Sequence, residues 1–288
     1  MIGKTPCRTL IDTSHLTLAL AHPALVVVDC RFDLKDTSGG EAAYRVSHIP
    51  GAVYAHLDKD LAGVKTGNNG RHPLPEVDTA ARTFGRMGIS HRTQVVAYDQ
   101  DTGGWASRLW WMLRWLGHDD VAVLDGGFAA WAAEGRPTTS SVDTRSPGVF
   151  IPHPRAAMVA TLADVAACSG DTHRRLLDAR APERFRGDVE PIDRTPGHIP
   201  GAVNVPFLDN LEPSGRFRPA ADLASRFRAA LGDTAPDHAV CYCGSGVTAC
   251  QNVLALEHAG LHGARLYVGS WSEWSSDPSR PVERSEPA

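Results

Sequence analysis

Short apolar runs rich in β-branched residues alternate with amphipathic stretches along the chain. In the first half the apolar runs are Leu25–Asp29, Val53–Tyr54, Gln94–Tyr98 and Val121–Leu124. The intervening stretches include two predicted helices, at 79–87 and 105–116. Strands that alternate with helices predict an α/β fold with parallel sheets. In such a fold, ligands bind beyond the C-terminal ends of the strands.

The second half of the chain repeats the first. The motif His-Ile-Pro-Gly-Ala-Val at 48–53 recurs letter for letter at 198–203. Further matches in the same order pair 26–31 with 176–180, 95–99 with 239–243, and 125–131 with 268–274. Repetition at this period indicates a duplicated domain and not a solenoid. We predict a first domain at 8–137, a linker rich in Pro, Ser and Thr at 138–158, and a second domain at 159–285.

Composition narrows the class of protein. The 288 residues are 42% hydrophobic and carry a net charge of −4, with no basic excess that would indicate nucleic-acid binding. The apolar run at 16–28 contains His22 and Pro23 and is too short to span a bilayer, which predicts a cytoplasmic protein that does not bind membranes. The six cysteines lack zinc-site spacing, so we expect no metal and mostly buried, reduced thiols.

One cysteine stands apart from this expectation. Cys243 ends the apolar run 239–242 and is followed by Gly-Ser-Gly-Val-Thr, after which a helical pattern begins at about Thr248. A strand, a glycine loop and a helix N-terminus in this order place backbone N–H groups around the residue at the start of the loop. Such a setting favours a thiolate nucleophile and stabilises a second, anionic sulfur attached to it.

These motifs resemble those of the tandem-domain rhodaneses, the thiosulfate and 3-mercaptopyruvate sulfurtransferases. The resemblance rests on the paired His-Ile-Pro-Gly-Ala motifs, on Gly-Ser-Trp-Ser-Glu-Trp at 269–274, and on the cysteine in the C-terminal half. It implies two rhodanese-like domains, each a mainly parallel sheet flanked by helices. Asp99 holds the cysteine position of the first domain, which is therefore expected to be non-catalytic. No organic cofactor is implied.

The resemblance also implies roles for individual residues. Cys243 would carry a persulfide, and Asp58, His72 and Ser245 match residues proposed as a proton relay in the family. Arg184 matches an arginine that holds the substrate carboxylate. For a second arginine, Arg194 is the nearest candidate, although 192–193 could occupy that place. The loop residues expected to bind substrate are Gly244, Gly246, Val247 and Thr248, with helix capping as an alternative role for Thr248.

The uncharged loop after Cys243 is similar to that of the mercaptopyruvate branch, so the expected activity is transfer of sulfane sulfur from 3-mercaptopyruvate to a thiol, cyanide or thioredoxin-like acceptor. Thiosulfate as the donor, and a non-catalytic persulfide carrier, are the alternatives. A Cys-dependent phosphatase is excluded, because Ala249 stands where that class needs an arginine six positions after the cysteine. Cys241 and Cys250 are expected to pack in the core, and a redox role for them stays open.

Overall fold

The computed structural model describes residues 7–142, 145–168, 171 and 173–285. They form two compact units. The first comprises the described residues up to Ala62, those of Pro75–Arg155, and Glu212–Phe217. The second comprises Gly63–Leu74 and the described residues of Ala156–Leu211 and Arg218–Ala288. Each unit therefore includes a short segment from the other half of the chain. The predicted domains, at 8–137 and 159–285, are contiguous and do not contain this exchange.

The first unit is a five-stranded parallel sheet flanked by helices, in the strand order β1-β5-β4-β2-β3. Its strands are β1 (Leu10–Ile11), β2 (Leu25–Asp29), β3 (Val53–Tyr54), β4 (Gln94–Tyr98) and β5 (Val121–Leu124). Its helices are α1 (Thr13–Ala19), α2 (Gly39–Val46), α3 (Leu57–Asp60), α4 (Val77–Arg86), α5 (Ala106–Trp115) and α6 (Gly127–Ala133). The four strands predicted from sequence are confirmed, and β1 (Leu10–Ile11) was not predicted.

The second unit repeats this topology, with the strand order β6-β10-β9-β7-β8 and parallel pairing throughout. Its strands are β6 (Val159–Ala160), β7 (Arg175–Asp178), β8 (Val203–Asn204), β9 (Ala239–Tyr242) and β10 (Arg265–Tyr267). Its helices are α7 (Leu162–Ala166), α8 (Pro182–Arg186), α9 (Ala220–Leu231), α10 (Ala249–His258) and α11 (Ser270–Trp274), with short 3₁₀ turns at Ala156–Met158, Phe207–Asn210 and Pro236–His238. The α/β fold class is confirmed.

Each sheet contains the same buried polar network near its C-terminal edge. In the second unit Arg180 Nη2 donates to Asp178 Oδ2 at 2.7 Å and to the carbonyl of Gly197 at 2.8 Å. In the first, Arg31 Nη2 donates to Asp29 Oδ2 at 2.6 Å. Both carboxylates are fully buried, and burial of a charge is tolerated only when the charge is paired and hydrogen-bonded.

The repeated histidines serve this packing. His48 Nδ1 lies 2.6 Å from the carbonyl oxygen of Tyr44, and His198 Nδ1 lies 2.7 Å from that of Phe185. Each ring stacks on the aromatic side chain of the same partner, with centroids 4.0 and 3.7 Å apart. Both histidines are buried in equivalent places, whereas only the second unit has a cysteine in the loop after its fourth strand, so the histidines have a structural role.

Two irregular segments are better packed than their composition suggests. In the predicted linker, His153 N donates to the carbonyl of Leu116 at 2.8 Å, and Arg155 forms an ion pair with Asp119. Near the C-terminus, Glu283 forms an antiparallel bridge with His198. The polar, proline-rich residues 277–288 are expected from the sequence to pack little, and most of those that the structure describes are exposed, with Glu283 held by this bridge. Within the described residues, no helix combines the length and the apolar character that crossing a bilayer requires.

Candidate active site

Cys243 directly follows β9, and the loop 244–248 connects it to α10, which begins at Ala249. The residue is 2% exposed. The order of strand, loop and helix agrees with the sequence prediction. It places the cysteine at the C-terminal edge of the sheet, where α/β proteins bind their ligands.

The segment at 269–272 holds the cysteine loop by its backbone. Cys243 N donates to Ser270 Oγ at 3.1 Å, Trp271 N donates to the carbonyl of Cys243 at 3.0 Å, and Ser272 N donates to the carbonyl of Gly244 at 2.9 Å. Ser270 is fully buried and has a φ of 53°, in the left-handed region that non-glycine residues rarely adopt. The repeated motif at 268–274 thus fixes the conformation of the loop.

Gly246 is required by two independent constraints. Its φ is 73°, and a Cβ atom at this position would lie 2.1 Å from the carbonyl oxygen of Val268. A side chain would therefore clash with backbone that cannot move without moving the cysteine loop.

Two guanidinium groups converge at Gly244. A Cβ placed on this glycine would lie 2.9 Å from Nη2 of Arg71 and 3.5 Å from Nη1 of Arg184. Arg184, on α8, was predicted as a substrate-binding residue. Arg71 was missed although its neighbour His72 was predicted, because its approach to Gly244 depends on the fold and leaves no local sequence pattern.

Two buried carboxylates neutralise these guanidinium groups. Arg184 Nη2 lies 2.6 Å from Glu190 Oε1 and 3.3 Å from Asp193 Oδ2, and Arg71 Nη1 pairs with Asp193 Oδ1. The side chains of Glu190 and Asp193 are 2% and 6% exposed. Burial raises the pKa of Asp193, opposed by the charge of Arg71. For the second substrate-binding position, the sequence offered Arg194 or residues 192–193. In the structure Asp193, and not Arg194, contacts Arg71 and Arg184.

His72 and Ser245 also meet in the second unit. His72 Nδ1 lies 2.8 Å from Ser245 Oγ, and the two residues are 3% and 7% exposed. Ser245 is two residues after Cys243. The structure therefore brings together Cys243, Ser245 and His72 with the glycine loop, which are four parts of the predicted site.

The remaining predicted residues lie as follows. Asp58 is in the first turn of α3, in the first unit, where its N–H donates to His56 Nδ1 at 3.1 Å. Val247 is buried, and Thr248 is the N-cap residue of α10 but makes no side-chain capping bond within the described part of the chain. Arg194 is exposed, in the wall of a cavity of about 480 Å³ that Arg71 and Asp193 also line.

Cys241 and Cys250 are fully buried free thiols. Burial raises the pKa of the Cys241 thiol above its ordinary value, which makes it a poor nucleophile. Both residues pack in the core, as predicted.

Asp99 shows what the equivalent loop of the first unit does. Its carboxylate is buried and accepts hydrogen bonds from the N–H groups of Asp101, Gly103, Trp105 and Ala106 at 2.8–3.2 Å. Burial raises the pKa of Asp99, and the N–H groups oppose that shift. In this fold, the loop that follows the fourth strand is thus able to surround an anionic side chain with backbone donors.

The fold is a duplicated parallel α/β fold, and the second sheet carries a cysteine at its C-terminal edge. The cysteine lies in a glycine loop held by its backbone, next to two guanidinium groups. These features define a class of cysteine-dependent proteins that act on small anions. Comparison with protein families identifies which class. The model of the rhodanese-like domain matches residues 13–134 and 161–277, and the chain belongs to this family.

Relatives match over nearly the full length. A "probable 3-mercaptopyruvate sulfurtransferase" of Pseudomonas aeruginosa is 48% identical over 275 residues, covering 95% of this chain and 97% of that protein. The thiosulfate sulfurtransferase of Mus musculus is 32% identical, covering 95% and 94%. Among solved structures, the 3-mercaptopyruvate sulfurtransferase of Leishmania major has a TM-score of 0.81 at 30% identity, covering 94% of this chain and 75% of that one.

Proposed function

We propose that the protein is a sulfurtransferase that moves a sulfane sulfur from 3-mercaptopyruvate, through a persulfide on Cys243, to a thiol or cyanide acceptor. This proposal rests on the backbone N–H groups that surround the Asp99 carboxylate in the first unit. In the second unit the equivalent position is a cysteine, whose sulfur can become the nucleophile and then hold a second, anionic sulfur. Relatives named as sulfurtransferases over the full length support the same assignment.

The chemistry proceeds in two transfers. The Cys243 thiolate attacks the sulfur of 3-mercaptopyruvate, an S–S bond forms, and the C–S bond breaks with its electron pair going to carbon. The resulting enolate takes up a proton and leaves as pyruvate. An acceptor thiolate or cyanide then attacks the outer sulfur, and the S–S bond breaks to return the Cys243 thiolate. The net reaction transfers one sulfur atom and needs no external oxidant.

Arg184 and Arg71 are placed to hold the donor. A guanidinium binds a carboxylate through two parallel N–H groups, which fixes the orientation as well as the position of the ligand. Both groups reach Gly244, next to the reacting sulfur. A donor carboxylate bound there would leave its sulfur close to Cys243.

Thiosulfate is the second candidate donor. The loop after Cys243 has no charged residue, which from the sequence alone is evidence against thiosulfate. However, the guanidinium groups of Arg71 and Arg184 at Gly244 supply positive charge from outside the loop. A relative named thiosulfate sulfurtransferase also matches over the full length. Glu190 and Asp193 neutralise the two guanidinium groups. This neutralisation favours the singly charged carboxylate of mercaptopyruvate over the thiosulfate dianion.

Steady-state sulfur transfer to cyanide, measured with each donor in parallel, tests the assignment. We expect a higher kcat/KM for 3-mercaptopyruvate than for thiosulfate. A higher value for thiosulfate would overturn the choice of donor and leave the persulfide mechanism in place. The natural acceptor and the cytoplasmic location remain predictions.

Substitution of His72 by asparagine is expected to lower kcat/KM for 3-mercaptopyruvate about a hundredfold, because a positioned proton donor or acceptor contributes about that much. Ser245, whose Oγ lies 2.8 Å from His72 Nδ1, is proposed to assist it. If His72 protonates the enolate, persulfide formation in a single turnover slows, while release of sulfur from preformed persulfide to cyanide changes little. His262→Asn is the matched control, since His262 is an exposed histidine of the same unit. Equal slowing of both half-reactions would contradict this role.

A further inference from the structure

We propose that Arg71 and Asp193 form a charge pair that sets the donor preference of this site, with Arg71 as the second anion-binding guanidinium and Asp193 as the counter-charge that disfavours dianions. This inference rests on the proposed function and names the residues that select the donor.

Arg71 is built into the site by its backbone. Its N–H donates to Ser272 Oγ at 3.0 Å, and Ser272 N in turn binds the carbonyl of Gly244. The preceding Gly70 has a φ of 82°, and a Cβ there would lie 2.7 Å from the carbonyl oxygen of Gly269. The segment carrying Arg71 is therefore packed against the same residues that hold the cysteine loop.

The Arg71 guanidinium has bonding capacity left for a ligand. One edge pairs with Asp193, whereas Nη2 points to the space beside Gly244. Its Nε is buried and has no hydrogen-bond partner in the described part of the chain. The Arg71 side chain is 27% exposed, so part of it remains accessible to an anion.

The local charges balance before any donor binds. In this ion-paired network Arg71, Arg180 and Arg184 contribute three positive charges, and Asp178, Glu190 and Asp193 contribute three negative ones. A monoanion entering this site leaves one excess negative charge, and a dianion leaves two. Since the Coulomb energy scales with the charge of the ligand, the Asp193 carboxylate opposes a dianion about twice as strongly as a monoanion.

The two acidic residues differ in how they are held. Glu190 accepts N–H groups of Ile192 and Asp193, so it also shapes the loop. Asp193 directs one oxygen to each arginine. Asparagine at 193 keeps the size of the side chain and one acceptor oxygen while removing the charge, which makes Asp193→Asn the informative substitution.

The test compares kcat/KM for thiosulfate and for 3-mercaptopyruvate, with cyanide as acceptor, in the full-length protein. Asp193→Asn is expected to raise the ratio of thiosulfate to mercaptopyruvate about tenfold, and Arg71→Met to lower it about tenfold. Asp188→Asn, which removes an exposed carboxylate paired with Arg186, is expected to leave the ratio unchanged. Opposite shifts cannot come from a general loss of structure.

Equilibrium binding separates this inference from the proposed function. Sulfate and pyruvate serve as unreactive dianion and monoanion, titrated into Cys243→Ser protein with Asp193 intact or replaced by asparagine. We expect asparagine to improve sulfate binding more than pyruvate binding. Unchanged ratios in both assays would overturn the inference while wild-type sulfur transfer still stood. If wild-type protein transferred sulfur from neither donor, the proposed function would be refuted, and this conclusion would not depend on the binding data.

Discussion

Cys243→Ser protein is expected to lose sulfur transfer from both donors, by about ten-thousandfold or more, since the substitution removes the atom that becomes the persulfide. The hydroxyl of serine is a far weaker nucleophile and forms no stable bond to a transferred sulfur. The measurement is steady-state transfer to cyanide, with intact-protein mass spectrometry after incubation with donor alone. Wild-type protein should gain the mass of one sulfur atom, and the variant should not.

Cys7→Ser is the matched control for this experiment. Cys7 is a free, half-buried cysteine of the first unit, so its replacement removes one thiol and leaves the site untouched. We expect wild-type activity and the same gain of one sulfur atom. Sulfur transfer that persisted in Cys243→Ser protein would end the proposed mechanism.

Asp178→Asn is expected to lower the free energy of unfolding of the second unit by about 3–5 kcal/mol, because the buried Arg180 guanidinium loses the carboxylate that binds its Nε and Nη2 and keeps only that of Glu190, 3.4 Å from its Nη1. Although burial works against the charge, Asp178 holds the pKa of Arg180 above its ordinary value, so the arginine stays charged. Burial raises the pKa of Tyr242, at the end of β9 next to Cys243, and the Asp178 carboxylate adds to that shift. Loss of the pair therefore also disturbs the residue that precedes the nucleophile.

Denaturant-dependent amide hydrogen exchange measures this effect by segment. Peptides from β7 and β9 should lose protection, whereas Asp188→Asn, which breaks an exposed pair, should cost less than about 1 kcal/mol. Peptides from β2 and β4 provide an internal reference, since the first unit has its own pair of Asp29 and Arg31. A loss below about 1 kcal/mol in β7 and β9 would mean that Arg180 finds another partner.

The sheets could be predicted from sequence because buried parallel strands are continuous β-branched runs, as in Leu25–Asp29 and Gln94–Tyr98. Helix boundaries differ from the predicted ones where the amphipathic pattern fades. Helix α4, for example, begins at Val77, two residues before the predicted start. The C-terminal bridge of Glu283 was missed, since a single polar residue held by His198 leaves no periodic pattern.

The cysteine loop could also be predicted, since its glycines and its helix start are local features. The pairing of Arg71 with Asp193 could not. Arg71 and Asp193 are 122 residues apart in the sequence, and their pairing depends on a segment of the first half being part of the second unit. The sequence predicted one of the two guanidinium groups, Arg184, whereas the fold also brings Arg71 and the carboxylates of Glu190 and Asp193 to the site.

Membership of Gly63–Leu74 in the second unit has a consequence for the history of this gene. A copy that lost its nucleophile would ordinarily be free to decay or to be deleted. Here, deletion of the first half would take away Arg71 and His72 together with the inactive sheet. The first repeat therefore cannot be removed as a block without removing a segment of the second unit.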